Sequence, residues 1–172
     1  DAAARRLSAV NPEISIRRLA ARVAGAALLP RVEAADVVLD CSDNFATRHA
    51  VNAACVRAGK PLVSGAAIRF DGQIAVFDIA NPASPCYHCL FGEGQELEET
   101  RCATMGVFAP LVGIVGAVQA AEALKLIAQV GTSLAGRLLL VDGLTMQWRE
   151  LRVPRDPARR AASGQRRPGR GA

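Results

Sequence analysis

The sequence has 172 residues, of which 51% are hydrophobic and 22% are charged, and its formal net charge at pH 7 is +5. This composition excludes the low-hydrophobicity signature of intrinsic disorder and predicts a globular core. Residues 1–154 hold 15 basic and 15 acidic residues. The excess charge therefore lies in six arginines of the tail: Arg155, Arg159, Arg160, Arg166, Arg167 and Arg170. Because 155–172 contains no aromatic residue to stack on a base, we expect a folded domain over 1–154, a disordered tail and no nucleic-acid partner.

Cysteine content and hydropathy indicate the compartment. Five cysteines in a chain with ordinary core content predict a reducing, cytoplasmic environment, with metal or thiol chemistry in preference to a disulfide framework. The longest apolar run, 107–121, is interrupted by Pro110, Gly113 and Gly116, and Glu122 follows it at once. We therefore expect a buried helix there and no association with a membrane.

The first elements in chain order are a helix and a short strand. Residues 2–10 have helical character and end at the breaker pair Asn11-Pro12. Residues 14–19 alternate apolar side chains with serine and arginine, a pattern typical of a strand.

A strand, a helix and a second strand follow. Residues 37–39 form a continuous apolar run, which is typical of a strand buried on both faces, and the run stops at the polar cluster 40–44. A helix is predicted over Phe45–Ala58 and is closed by Gly59, and 61–63 forms the next buried strand. This order predicts a right-handed parallel crossover.

The second half changes character. Residues 66–68 and 73–79 are predicted to be extended and joined around Asp71-Gly72, a hairpin signal. A long buried helix is predicted over 109–130, and two strands follow over 137–142 and 147–153.

The predicted fold class is α/β: an incomplete doubly wound, Rossmann-like sheet with a parallel core and an antiparallel carboxyl-terminal extension. No glycine-rich GxGxxG fingerprint follows any predicted strand. Since such a loop holds the phosphates of a nucleotide in this fold, we expect the amino-terminal half of the domain to lie upstream of Asp1.

The cluster 40–44 is the first candidate site. Ligands of open α/β sheets bind beyond the carboxyl ends of the strands, where Asp43 is predicted to lie. A carboxylate there can hold Mg²⁺ against phosphates, and Arg48, one turn into the following helix, can neutralise a phosphate. Ordinary helix capping by Ser42 or Asp43, with Arg48 on a solvated face, explains the same pattern equally well.

Cys86 and Cys89 form the second candidate site. Two cysteines separated by two residues form one half of a tetrahedral zinc site, which needs four ligands. A redox dithiol is less favoured, because such a motif opens a helix after a strand, and an inert pair is the third alternative.

Cys102 is the third candidate. It follows an acidic segment and precedes the long helix, and a helix N-terminus and the neighbouring Arg101 both stabilise a thiolate. It is either a nucleophile or persulfide carrier, or a small buried hydrophobic residue.

Taken together, these motifs resemble the MoeB/ThiF/HesA family of adenylyltransferases, which activate ubiquitin-like sulfur carriers. The resemblance covers residues 1 to about 157 and rests on the order and spacing of several segments. The stretch from Ser64 to Gln73 looks closest to the MoeB branch. The segments that carry the resemblance are 36–48, 61–68, 72–77, 85–90, 102–113, 119–125, 142–143 and 148–149.

The resemblance implies an activity. ATP would adenylylate the C-terminal glycine carboxylate of a MoaD- or ThiS-like carrier, as a step of molybdopterin or thiamine biosynthesis. Asp43 would hold Mg²⁺ and the phosphates, and Asn44 and Arg48 would lie near the nucleotide. Cys102 would lie on the loop that crosses towards the tail of the carrier. Relatives act as dimers, so a homodimer is expected.

The sequence departs from the family in two respects. The glycine-rich loop of the family is absent, so the isolated chain is expected to bind ATP poorly. Cys86 and Cys89 match half of the structural zinc site of the family, but 158–161 stands where the second CxxC would follow, so zinc is expected only if other ligands complete the site. Two alternatives therefore stay open: a carrier-binding module without ATP activity, and, less favoured, a nicotinamide-dependent oxidoreductase.

Overall fold

The computed structural model describes residues 2–92 and 105–157. They form a single mixed sheet with helices on both faces, as predicted, and the order of the strands in the sheet follows the chain. The helices are α1 Ala2–Val10, α2 Leu29–Glu33, α3 Phe45–Ala58, α4 Tyr87–Leu90 and α5 Ala109–Ala128. The strands are β1 Val38–Asp40, β2 Leu62–Ile68, β3 Asp71–Phe77, β4 Arg137–Asp142 and β5 Gln147–Arg152.

The first two strands are parallel and the others are antiparallel. β1 pairs with β2 in parallel through the crossover helix α3, as predicted. The pairs β2–β3, β3–β4 and β4–β5 are antiparallel. The parallel core with an antiparallel extension is therefore confirmed.

Two apolar layers cover the faces of the sheet, because neighbouring residues of a strand point to opposite faces. Leu62 of β2 and Phe77 of β3 face a cluster that also contains Cys55 of α3. Val63 and Ile74, on the opposite face, pack in a second cluster with residues of α5.

Two sequence-based expectations about strands are corrected. Residues 14–19 are not a strand, and Ile14 and Leu19 are each 48% exposed. A strand needs a hydrogen-bonding neighbour, and in the described chain this segment pairs with none. β1 is not buried on both faces, since Leu39 is 41% exposed. β1 is an edge strand of the sheet in the described residues, which explains this exposure.

The hairpin turn also differs from the prediction. β2 continues through Gly65 to Ile68, and Ile68 pairs with Asp71, so the turn residues are Arg69 and Phe70. Arg69 adopts a left-handed conformation with φ 50°. Gly72 lies inside β3, where a Cβ atom would come within 2.6 Å of the Val141 side chain. Close packing between strands, and not turn geometry, requires this glycine.

Helix α5 has one buried face. Its 20 residues and mean hydropathy of 1.7 satisfy the length and composition of a membrane span, although 28% of the 18-residue window is buried. Leu111 and Val115 pack against the sheet, and the buried face also carries Gln119 and Glu122. The prediction of a buried helix is therefore confirmed for this face only, since most of the window is not buried.

We expect Leu111→Ala to lower the free energy of unfolding by about 2–5 kcal/mol, because Leu111 is fully buried over β3 and truncation leaves a cavity. Val112→Ala is the matched control, since Val112 is the next helical position and is 47% exposed. The control should change stability by less than about 0.5 kcal/mol in urea unfolding. Equal losses in the two variants would contradict this assignment of the buried face.

Candidate functional site

The loop 41–44 lies at the carboxyl end of β1, between the strand and α3. Asp43 is exposed there, and its Oδ1 accepts a 3.4 Å hydrogen bond from Asn44 Nδ2. Asn44 has extended backbone angles and caps α3, because its Oδ1 accepts a 2.8 Å hydrogen bond from the backbone N–H of Thr47. The rim of the sheet thus presents a carboxylate beside a helix N-terminus, an arrangement suited to a cation and an anion held together.

Asp40 is the buried anchor of this loop. It is 4% exposed, and its Oδ1 accepts hydrogen bonds from the Ser42 backbone N–H at 2.9 Å and the Ser42 hydroxyl at 2.6 Å. Its Oδ2 lies 3.9 Å from Arg48 Nη1. Sequence reasoning gave Asp40 no separate role. A signal was present, however, because Asp40 ends a buried strand and lies eight residues before an arginine of the next helix.

Arg48 points into the protein and is 6% exposed. Its Nη1 donates to Ser64 Oγ at 3.2 Å and its Nη2 donates to the Gly65 carbonyl at 3.1 Å. Nη2 also donates to the Ser42 carbonyl. In this conformation the guanidinium joins the loop 41–44 to β2 instead of lying on a solvated face.

Cys86 is the N-cap of the short helix α4 and Cys89 is its third residue, whereas the sequence indicated a loop. Their sulfur atoms lie 3.7 Å apart, which is the separation expected of two thiolates on one tetrahedral zinc with bonds of about 2.3 Å. Cys89 Sγ also accepts a 3.5 Å hydrogen bond from the Asp156 backbone N–H. The pair fits half of a zinc site. Within 2–92 and 105–157 no cluster of three or more metal-ligating side chains forms.

The surroundings of the Cys86 thiol bear on its reactivity. Burial raises the pKa of the Cys86 thiol, and the neighbouring Cys89 raises it further. A reactive dithiol needs the opposite shift, because the thiolate is the nucleophile. The raised pKa disfavours a reactive thiolate at Cys86 in the metal-free chain, and the sulfur separation is compatible with a shared metal ion.

Helix α4 packs directly on α3. The cysteine pair and the loop 41–44 are therefore both positioned by α3. The Tyr87 backbone N–H donates a 2.9 Å hydrogen bond to Asn52 Oδ1. Burial raises the pKa of Tyr87 to about 12, although the nearby Arg48 opposes this shift. The two histidines of the chain, His49 and His88, lie where the helices meet, with 4.6 Å between their ring centroids and an angle of 38° between the rings.

Cys102, the third candidate, lies outside the described residues, as does the predicted tail beyond residue 157.

The fold agrees with the comparisons. The ThiF family model matches residues 1–161, and the chain belongs to the ThiF family. The chain is 43% identical over 154 residues to the molybdopterin-synthase adenylyltransferase of Escherichia coli K12, an alignment that covers 88% of the chain and 60% of that protein. It is 46% identical over 151 residues to the ThiS adenylyltransferase of the same organism. That alignment covers 87% of the chain and 59% of the relative. The chain therefore spans about 60% of the length of these relatives, and the similar identities do not separate the MoeB branch from the ThiF branch.

Solved structures confirm the fold. Escherichia coli MccB superposes with a TM-score of 0.76 at 20% identity, over 100% of this chain and 51% of that protein. MccB solved with ATP gives a TM-score of 0.73 at 21% identity, over 90% of this chain and 47% of that one. At these identities the likeness shows a shared fold only.

We expect Asn44→Ala to destabilise the domain by about 0.5–2 kcal/mol, because the first turn of α3 loses its cap. Asn44→Asp should retain most of the stability, since a carboxylate oxygen can accept the same bond from Thr47. Urea unfolding measures both variants. If the two variants were equally destabilised, the cap would not be the source of the effect.

Proposed function

We propose that this chain contributes part of the ATP-binding rim of an enzyme that adenylylates the C-terminal glycine carboxylate of a ubiquitin-like sulfur carrier. The observation that carries the proposal is the exposed Asp43, which lies at the carboxyl end of β1 beside the capped N-terminus of α3. The names of the two adenylyltransferase relatives support it.

In the proposed reaction, a carboxylate oxygen of the carrier attacks the α-phosphorus of ATP. The bond from that phosphorus to the oxygen that bridges to the β-phosphate breaks, and pyrophosphate leaves with the electron pair. The products are an acyl-adenylate and pyrophosphate. Because the attacking carboxylate is already ionised, no general base is needed, and rate enhancement rests on positioning and charge neutralisation.

Asp43 and Asn44 are the residues of this chain that would hold the nucleotide. An exposed carboxylate is a suitable ligand for Mg²⁺, which is usually bound by one or two carboxylates. When bound, the ion would neutralise the charge of the phosphates. Asn44 would remain beside it as the cap of α3. The predicted contact of Arg48 with a phosphate stays a prediction. Its present hydrogen bonds to Ser64, Ser42 and Gly65 favour a supporting role, in which it fixes the loop 41–44.

A second candidate is a carrier-binding module without ATP activity. The absence of a glycine-rich fingerprint from the sequence favours this reading for the chain by itself. For both candidates the proposed partner is a MoaD- or ThiS-like carrier. We propose that the protein acts as a homodimer in the cytoplasm. Cys102 would act only in the sulfur transfer that follows adenylylation. A pull-down of carrier without ATP–pyrophosphate exchange would distinguish this candidate from the enzyme.

For the proposed enzyme, we expect Asp43→Ala to reduce carrier-dependent ATP–pyrophosphate exchange by at least about 100-fold, because a ligand of the magnesium–phosphate complex is removed. Asp36→Ala is the matched control, since Asp36 is also exposed but lies before the amino end of β1. Exchange should be measured with this chain, alone and within any longer polypeptide that its coding sequence specifies. Retention of most exchange activity by Asp43→Ala would refute the role of Asp43.

Cys86 and Cys89 would hold zinc for structure, with further ligands from outside the described residues. We expect zinc bound by the reduced chain to be lost in Cys86→Ser, which removes one of the two ligands. Cys41→Ser should retain the zinc, because Cys41 precedes α3 in the chain and no other sulfur atom of the described residues contacts it. Metal analysis after desalting measures the zinc content. Equal zinc in Cys86→Ser and the unsubstituted chain would contradict the site.

A further inference from the structure

Gln119 is a buried amide on the face of α5 that packs against the sheet, and it is 3% exposed. Its Nε2 donates to the carbonyl of Asp40 at 3.0 Å and to the carbonyl of Val63 at 3.3 Å. These carbonyls lie near the carboxyl ends of the parallel segments of β1 and β2. One amide group therefore joins the two strands at the rim where Asp43 lies.

The same side chain also contacts the loop itself. Gln119 Oε1 accepts a hydrogen bond from the Cys41 thiol, with a sulfur–oxygen distance of 3.6 Å. Cys41 is the first residue of the loop 41–44, and Asp43 follows two residues later. Gln119 thus holds the last residue of β1 and the first residue of the loop at once.

The backbone at position 65 leaves the space for this amide. A Cβ atom on Gly65 would lie 2.3 Å from both Cδ and Oε1 of Gln119, so the amide could not stay where it is. The Gly65 carbonyl in turn accepts a hydrogen bond from Arg48. Gln119 from α5 and Arg48 from α3 therefore hold the same rim from two different helices.

We propose that Gln119 is a positioning residue, which fixes the loop 41–44 so that Asp43 is presented to the nucleotide. The claim that Asp43 faces a nucleotide rests on the proposed function, whereas the claim that Gln119 fixes the loop 41–44 does not. A helix more than 60 residues further along the chain then sets the geometry of the rim. If Gln119 had a purely structural role, removal of its amide would destabilise the whole fold. If it positions the loop, removal of the amide would open the loop 41–44 and leave the rest of the fold intact.

The test uses two cysteines as reporters in one molecule. Cys41 is exposed on the loop, and Cys55 is fully buried in α3. The rate of modification by a thiol reagent is measured at each cysteine separately by peptide mass spectrometry, under native conditions. Opening of the loop accelerates Cys41 alone, whereas global unfolding accelerates both cysteines.

We expect Gln119→Met to accelerate modification of Cys41 by about threefold to tenfold with Cys55 unchanged, the effect expected from the loss of one or two hydrogen bonds. Gln129→Met is the matched control, because it makes the same chemical change at the exposed end of α5 and should leave both rates unchanged. A Cys41 rate within about twofold of the unsubstituted chain, which is less than the loss of one hydrogen bond should give, or a parallel rise at Cys55, would overturn the proposal.

Gly65→Ala provides a second route to the same state, because it displaces the amide without removing it. Adding Gln119→Ala relieves the crowding, so the double variant should recover part of the lost stability while Cys41 stays fast. Joint recovery of stability and of the slow Cys41 rate would show that Gln119 is needed only for packing.

Magnesium–ATP separates this proposal from the proposed function. In the unsubstituted protein, in the longest form that the coding sequence specifies, the nucleotide should slow modification of Cys41, and Gln119→Met should weaken that protection. If the nucleotide had no effect on the unsubstituted protein but Gln119→Met still released Cys41 selectively, the nucleotide assignment would fail and the positioning of the loop would stand.

Discussion

Buried side chains reinforce the short ladder between β1 and β2 at their carboxyl ends, and the geometry of the candidate site depends on this constraint. β1 has only three ladder positions, which are too few to fix the loop that follows it. Arg48 and Gln119 supply the missing bonds from opposite faces of the sheet, and Asp40 closes the network beneath Ser42. In such a buried network the loss of one hydrogen-bonding group is costly, because its partner stays buried without a hydrogen bond.

Local sequence signals predicted much of the fold. The bounds of α3 followed from the capping cluster before Phe45 and from Gly59, which adopts φ 65° at the C-cap. The strand–helix–strand order predicted the parallel pair, and the two final strands occur as expected. The cysteine spacing predicted a pair of sulfur atoms close enough to share a metal ion. In each case a few neighbouring residues determine the conformation.

Features that depend on distant residues were not predicted. Residues 14–19 alternate as a strand does, but alternation cannot supply a neighbouring strand. The orientation of Arg48 depends on Ser64 and Gly65, which reach it only through the crossover. Gln119 was read as part of a helix and not as part of the site, because its contact with Asp40 joins residues 79 positions apart. Sequence patterns therefore located the rim but not the network that holds it.

The two edges of the sheet differ in their resistance to aggregation. β5 ends one edge and carries Arg149, Glu150 and Arg152, charges that disfavour pairing with another molecule. β1 ends the other edge of the described sheet, and its central residue is the half-exposed Leu39. For the described residues by themselves, intermolecular strand pairing at high protein concentration should therefore begin at β1. A binding partner or chain segment that covers this edge would act as a solubilising cap.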